Sequence, residues 1–367
     1  MFEMRVGFLG SAVFLLCAVS AAAHAQGSVT LFGTIDDGLS YISNEHGKSL
    51  VKANDGIFTP NLWGIKGSED LGGGTTAIFR LVDQFSLGTG AITNGQQLFS
   101  KTAYVGLSDQ RLGTITLGSQ YDFMATSLWA SDIDTADDGG FFFGFPAGPF
   151  KGLGIPNNPT GELDWDRSEG TPIANTVKYL SPTIDGFSAG AMYGFGNVAG
   201  EIGTGNSSSF GLNYAGTSLG LGAAFTNVKY VVAGGPEVSI RNWGVGGVYR
   251  WNGVTLHGLV TTVRNVNTGG AAEEASVGAR WQFGPAWILS GEYMYLKGNA
   301  VLQSNHANQL GATLFYAFSK RTTVYMSTVY QRANDGADAQ ISGIVDPNGA
   351  SSSSSQSVFR VGIHTMF

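Results

Sequence analysis

The chain has 367 residues, of which 13% are charged, 43% are hydrophobic and 55 are glycine, with a formal net charge of −7. Mild acidity gives no support to nucleic-acid binding, which wants a basic face. So much glycine with so few charges does not describe an ordinary soluble globule, and no late segment is apolar over the ~18 or more residues of a membrane helix.

The N-terminus has its own character. Val6 to Ala23 is dominated by apolar and small residues and ends in Ala23-His24-Ala25. A short apolar run before an A-x-A site reads as a secretory signal, residues 1–25, cut before Gln26. The one cysteine, Cys17, leaves with that signal. Phe14-Leu15-Leu16 ahead of it lacks the small residue that a lipidated cysteine needs directly before it. Residues 26–367 then form one domain without disulfides in an oxidising compartment.

From Val29 onward a single pattern repeats: about ten residues alternate apolar with small or polar, and a turn follows. In Leu112 to Tyr121, Ile115, Leu117 and Tyr121 share a face. Phe187, Ala189, Ala191, Tyr193 and Phe195 share another, opposite Ser188, Gly190 and Gly194. Val277, Trp281 and Phe283 oppose Ser276, Gly278, Arg280 and Gln282, and Leu310, Ala312, Leu314, Tyr316 and Phe318 repeat the arrangement. A period of two means strands, since helices repeat near 3.6. Tight links (Gly72-Gly73-Gly74, Ala215-Gly216-Thr217, Asn252-Gly253, Gly284-Pro285) alternate with long polar ones: Asn44 to Asp55, Asp122 to Pro172, Gly196 to Ser207, Val232 to Glu237, Val266 to Glu274, Gly298 to Asn305 and Ala333 to Gln356. The Ser351–Ser355 run falls in the last of these and reads as a mobile external loop. Short turns on one rim, long loops on the other and aromatics near strand ends predict a closed antiparallel transmembrane β-barrel of about sixteen strands. Trp251, Trp281, Phe283, Trp287, Tyr293, Tyr295, Tyr316 and Phe318 supply such aromatics, and Phe367 ends the last alternating strand.

Several stretches resemble the Gram-negative trimeric general porins. They are VTLFGTID at Val29–Asp36, WGIKGSEDLGGG at Trp63–Gly74 followed by AIFRL at Ala77–Leu81, and KTAYVGL at Lys101–Leu107. LGTITLG at Leu112–Gly118, NTVKYLSP at Asn175–Pro182, FSKRT at Phe318–Thr322 and the C-terminal strand complete the set. They cover most of the chain in the right order. The resemblance implies a passive water-filled channel for ions and small hydrophilic solutes in the outer membrane of a Gram-negative bacterium. It also implies a homotrimer in the lipid bilayer and a long third external loop folded into the lumen as a constriction, with loop acids facing basic wall residues. Asp122 to Pro172 is the longest connection, and it follows the fifth strand. By the same likeness, Phe85 to Gln97 is a latch to a neighbouring subunit.

Channel chemistry needs no catalytic group or cofactor. Charges at lipid depth cost ~2–4 kcal/mol, so strand charges are expected to face inward. Arg80, on the face of Val82 and Gln84, and Lys101 align with basic pore positions of the family, and Arg280 sits on the polar face of its strand. Asp132, Asp134, Asp137 and Asp138 are the acidic candidates on the third loop. Their spacing lacks a full calcium-loop signature, and no metal is expected. The chain departs from the family at Leu62, where an eyelet arginine is common, and at Val82, where an acid is common. Losing a wall arginine while keeping four loop aspartates points to weak cation preference. Phe141 to Phe145 either packs the loop on the wall or a neighbour, or makes a partly apolar constriction for amphipathic or aromatic solutes. Among the rivals, an outer-membrane hydrolase would need a nucleophile with a positioned histidine. Only His46, His257, His306 and His364 remain after the signal, and no nucleophile motif accompanies them. A solute-specific channel and a surface-binding protein with a barrel scaffold stay as alternatives.

Overall fold

The computed structural model describes residues 27–93, 97–156, 158, 164–344 and 349–367, apart from the side chain of Asp137. The expected signal at 1–25 lies outside the described residues. The strands are β1 (Ser28–Glu45), β2 (Lys48–Asp55), β3 (Leu62–Gly72), β4 (Thr75–Gln84), β5 (Thr102–Asp109), β6 (Gly113–Gln120), β7 (Ile173–Leu180), β8 (Phe187–Gly194) and β9 (Ser207–Ala215). They continue as β10 (Leu219–Tyr230), β11 (Val238–Trp251), β12 (Val254–Asn265), β13 (Ala271–Gln282), β14 (Trp287–Gly298), β15 (His306–Ala317), β16 (Thr322–Ala333) and β17 (Ser355–Met366). All seventeen belong to one antiparallel sheet, each paired with its sequence neighbour or with β1.

β2 and β3 lie end to end along β1: Asp37 to Glu45 pair with β2, and Ser28 to Thr34 pair with β3. Together they make one wall strand broken by residues 56–61, so the seventeen segments build a barrel of sixteen strands. β1 pairs with β17 to close it, and Phe367 exchanges backbone hydrogen bonds with Gly33 at 3.1 and 3.2 Å. Closure is what lipid demands, because an unpaired edge has no water to satisfy it.

The dyad pattern sets the faces. Leu39, Val361, Met326, Leu314, Leu289 and Trp281 are successive cross-strand neighbours around the wall, and all but the half-buried Leu314 are exposed, as lipid-facing side chains should be. The alternating set (Ser40, Arg360, Ser327, Ser290, Arg280) faces the lumen. Tight turns form one rim: Gly72, Gly73 and Gly74 all have positive φ, and Asn252-Gly253 does too, the geometry a two-residue hairpin turn needs. An aromatic belt tracks that rim, with Trp281–Phe283, Phe283–Trp287, Trp287–Tyr316 and Tyr316–Phe318 in ring contact.

Three local expectations change. Asn44 to Asp55 is a hairpin, not a loop: β2 occupies most of it and turns at His46-Gly47, both with positive φ. Val266 to Glu274 shrinks to five residues, 266–270, because Ala271 to Glu274 pair with β12 and β14. Tyr121 does not share the lipid face of Ile115 and Leu117. The register slips after Gly118, the strand ends at Gln120, and Tyr121 turns with the loop, its ring against Gly170.

Val277 projects outward from the middle of β13, while Thr30 on β1 faces the lumen beside Lys66. Val277→Arg is expected to destabilise the barrel by about 2–4 kcal/mol, and Thr30→Arg by clearly less. Guanidinium unfolding in lipid vesicles measures both; equal costs would mean the faces are assigned wrongly.

Candidate pore

The third external loop, described at residues 121–156, 158 and 164–172, folds inside the barrel. Its apolar residues meet three patches of inner wall. Phe123, Met124, Leu128 and Ile133 pack with Met192, Val228, Val248 and Leu259. Phe150, Leu153, Ile155 and Trp165 pack with Ile240, Val263, Met294 and Leu296. Phe141, Phe142, Phe143 and Phe145 pack with Ile42, Val329 and Val358, joined by Ile341 and Ile344 of the last loop. Burying one such side chain contributes about 1.5–3 kcal/mol, which holds a long loop down without regular structure. The phenylalanine run is therefore packing, wholly buried against the wall, and presents no apolar surface to a passing solute.

The loop's backbone is satisfied by wall side chains, as a buried irregular segment requires. Asn213 donates to the Ser127 carbonyl at 2.9 Å, Asn242 to Trp165 at 3.0 Å, and Gln309 to Phe143 at 2.9 Å. Ser290 donates to Asp138 at 3.0 Å. Close approach also needs glycine: a Cβ at Gly190 or Gly211 would collide with the Phe123 ring.

A second insertion comes from the break between β2 and β3. Ile57 and Phe58 turn inward, their amides donating to Asp36 at 2.8 and 3.0 Å. Phe58 stacks among Phe141, Phe315, Tyr325 and His364, and the Phe142 amide donates to the Ile57 carbonyl at 3.2 Å. Beneath it, Arg360 and Asp36 form a fully buried ion pair at 3.2 Å, completed by Tyr325, Ser40 and Asn54.

The charged side chains fall into two groups. Two of the loop acids, Asp132 and Asp138, are tied to the wall. Asp132 pairs with Arg250 at 2.7 Å and with Arg280 at 3.6 Å; Asp138 pairs with Arg280 at 3.0 Å and lies 3.6 Å from His257. Asp134 is buried and accepts from the Ala136 amide at 2.7 Å. The side chain of Asp137 lies outside the described residues. Lys101, expected on the open wall, is buried and paired with Glu169 at 3.0 Å. Burial opposes its charge, but the Glu169 carboxylate more than reverses that, and the ammonium titrates above its usual range. Asp122 likewise holds Arg167 at 2.7 Å.

The second group remains accessible. Arg80 faces the lumen with its guanidinium 4.8 Å from the Phe32 ring centre, and Lys66, its cross-strand neighbour on β3, lies 5.5 Å from the same ring. Among the described residues neither has a carboxylate within ion-pair distance. Leu62 and Val82 also face inward, opposite Gln84 and Gly64 respectively; Leu62 is half-buried and Val82 is buried. The arrangement thus brings Arg280 to the aspartates, keeps Arg80 apart from them and takes Lys101 out of the passage. Lys66, Arg250 and the inward kink escaped the sequence reading. Lys66 was legible, since a lysine alternating with Gly64 and Ser68 in a strand must face the lumen.

The sequence model of the Gram-negative porin family matches residues 12–336. The chain belongs to the Gram-negative porin family. Outer membrane porin protein 32 of Delftia acidovorans is 28% identical over 95% of this chain and 97% of its own length. An outer membrane porin protein of Bordetella pertussis is 26% identical over 67% of this chain and 66% of its own. The anion-selective porin from Comamonas acidovorans shares the fold at TM-score 0.74 with 21% identity, covering 93% of this chain and 100% of that one. The trimer form of OmpT from Vibrio cholerae follows at TM-score 0.64 and 16% identity, covering 93% and 99%. This porin is therefore a β-barrel channel of the Gram-negative outer membrane, in a family of channels and not of enzymes.

Breaking the Asp36–Arg360 pair leaves a buried charge uncompensated, which costs about 3–5 kcal/mol. Arg360→Ala is expected to lower barrel stability by that order in guanidinium unfolding, with the kink at 56–61 released. A loss below about 1 kcal/mol, the size seen for exposed pairs, would show that the pair does not anchor the kink.

Proposed function

We propose that this porin passes small hydrophilic solutes by diffusion and prefers anions. The carrying observation is the sorting of charge just described. Asp132 and Asp138 are neutralised by Arg250 and Arg280, while Lys66 and Arg80 have no carboxylate partner among the described residues and stay on the accessible wall. The sequence reading leaned to weak cation preference because the wall loses an arginine at Leu62 while the loop keeps four aspartates. Ion pairing of Asp132 and Asp138 weakens that premise, and the counter-charges sit on strands far away in sequence. The fold relationship to a porin whose name records anion selectivity agrees in direction. Because Phe141 to Phe145 are buried, the idea of a channel for aromatic or amphipathic solutes loses the residues that suggested it.

The same reading includes a homotrimer. Asp37 and Asp55 are register partners on the outward face of β1 and β2, where lipid would penalise them. Residues 85–93 and 97–101 fold back on that side: Ser86 and Leu87 donate to Asp55, and Phe99 packs on Trp63 at 5.9 Å. Protein cover over this face fits a subunit contact. The sedimentation mass of the detergent-solubilised protein reads it directly, a monomer being the contrary result.

For selectivity, a unit charge about 6 Å from a passing ion at an effective dielectric between 20 and 80 contributes roughly 1 kcal/mol or more, ~5-fold in relative permeability. The parent is expected to show a reversal potential of anionic sign across a chloride gradient in planar bilayers. Lys66→Ala with Arg80→Ala removes two such charges and is expected to shift the ratio by more than about fivefold towards cations. A cation-selective parent, or a double variant with unchanged potential, would overturn the proposal.

A further inference from the structure

Two arginines face the lumen on the side of the barrel opposite Lys66 and Arg80. Arg250 of β11, Thr255 of β12 and Arg280 of β13 are successive register partners near the tight-turn rim. The two guanidiniums therefore rise from alternate strands with the short Thr255 between them. Strand spacing sets their backbones about 10 Å apart, close enough for both side chains to reach one carboxylate. The third external loop supplies it: Asp132 meets Arg250 at 2.7 Å through one oxygen and Arg280 at 3.6 Å through the other. Two arginine forks that converge on the two oxygens of one carboxylate have the geometry of an anion receptor.

The two acids of this cluster are held differently. The Asp138 side chain is wholly buried, lies 3.0 Å from Arg280 and is a fixed counter-charge. Asp132 and Arg250 keep 41% and 39% of their side-chain surface exposed. Water competes for such a pair, so it contributes little to stability. The backbone beneath Asp132 does not depend on it. The Asp132 amide donates to the Trp129 carbonyl at 2.8 Å, the Ile133 amide donates to Leu128 at 3.0 Å, and the Ile133 side chain is buried against the wall. The Asp132 side chain can therefore turn away about its own bonds while the loop stays down. Beside the arginines, a hollow of about 330 Å³ runs to the tight turn at Asn252-Gly253, with Thr255 and Gln282 also on its wall and no acid among its lining residues.

We infer that Arg250 and Arg280 form an anion subsite in the tight-turn half of the lumen, that Asp132 occupies it at rest, and that a small solute bearing a carboxylate or phosphate group takes the place of Asp132 in passing. The inference rests on the diffusive pore proposed above and names the solute chemistry that this part of the pore favours. Asp132 is then a specificity-determining residue. Its carboxylate competes with the solute and keeps the site weak enough for the solute to leave, as conduction requires.

The test records chloride current through the full-length protein in planar bilayers while citrate is raised on each side in turn. Lys66→Ala/Arg80→Ala serves as the background, so that the opposite wall contributes no block. Citrate is expected to reduce the current saturably in this background. Adding Asp132→Asn, which removes a charge and almost no volume, is expected to lower the half-blocking concentration about fivefold or more. Adding Arg250→Ala is expected to raise it by as much, and Asp132→Glu to leave it near the background value. Inorganic phosphate is expected to follow the same order, whereas sorbitol, which is uncharged, reduces the current equally in all variants. Circular dichroism of each variant shows that it folds; if Arg250→Ala does not, Arg250→Lys, which keeps the charge and loses the fork, must still raise the half-blocking concentration. A half-blocking concentration unchanged by Asp132→Asn overturns the inference. So does an equal change for citrate and sorbitol, which would mean that the substitution only widens the passage. The two readings fail separately. A cation-selective parent with the Asp132→Asn shift intact overturns only the ion preference proposed above, and an anion-selective parent without that shift overturns only the subsite.

Discussion

In hydrocarbon a backbone amide has no water to turn to, and the rest of this molecule follows from that constraint. Sixteen wall strands close on themselves between β1 and β17 and leave no edge. Closure makes the two faces unequal. One meets lipid and can be apolar at every second residue. The other encloses a space too wide for wall side chains alone to fill.

The chain uses that space for its own loops. The inner wall is not uniformly polar. Where the described residues of the third external loop lie against it, Val228, Leu259, Val263, Leu296 and Val329 make it apolar, and the lumen is divided into a packed side and a wet side. Polar wall residues on the packed side cap loop carbonyls. Arginines there neutralise loop acids, so most charge in the lumen is structural. On the wet side a pair of cations, Lys66 and Arg80, flanks one phenylalanine. A channel's selectivity is a sum over accessible charge, and in that sum Asp132 and Asp138 are offset by Arg250 and Arg280.

Much of the fold was legible, because its signal is periodic. Strict alternation over Phe187 to Phe195 or Leu310 to Phe318 can belong only to strands, and Gly72-Gly73-Gly74 and Asn252-Gly253 are turns by their chemistry. The length of residues 122–172 announced a loop with a task. The pairing of charges was not legible. Asp138 and Arg280 are distant in the chain, and nothing local marks them as partners rather than opponents across a pore. The kink at 56–61 was hidden for a similar reason. Its amides are held by Asp36 and that carboxylate by Arg360, so three separated segments must be in place before the break in the strand makes sense. Lys101 shows the limit of aligning single positions: its neighbours put it on the wall, but Glu169 of the loop decides that it is buried.

The division of the lumen is open to one direct measurement, since the one cysteine of the sequence, Cys17, lies ahead of the barrel. Single-channel current is recorded before and after adding a membrane-impermeant thiol reagent to two variants. They are Tyr104→Cys, on the wall beside Arg80, and Thr313→Cys, buried behind the loop. Block in Tyr104→Cys with none in Thr313→Cys is the predicted result; the reverse, or block of both alike, would contradict a passage that runs along the basic wall.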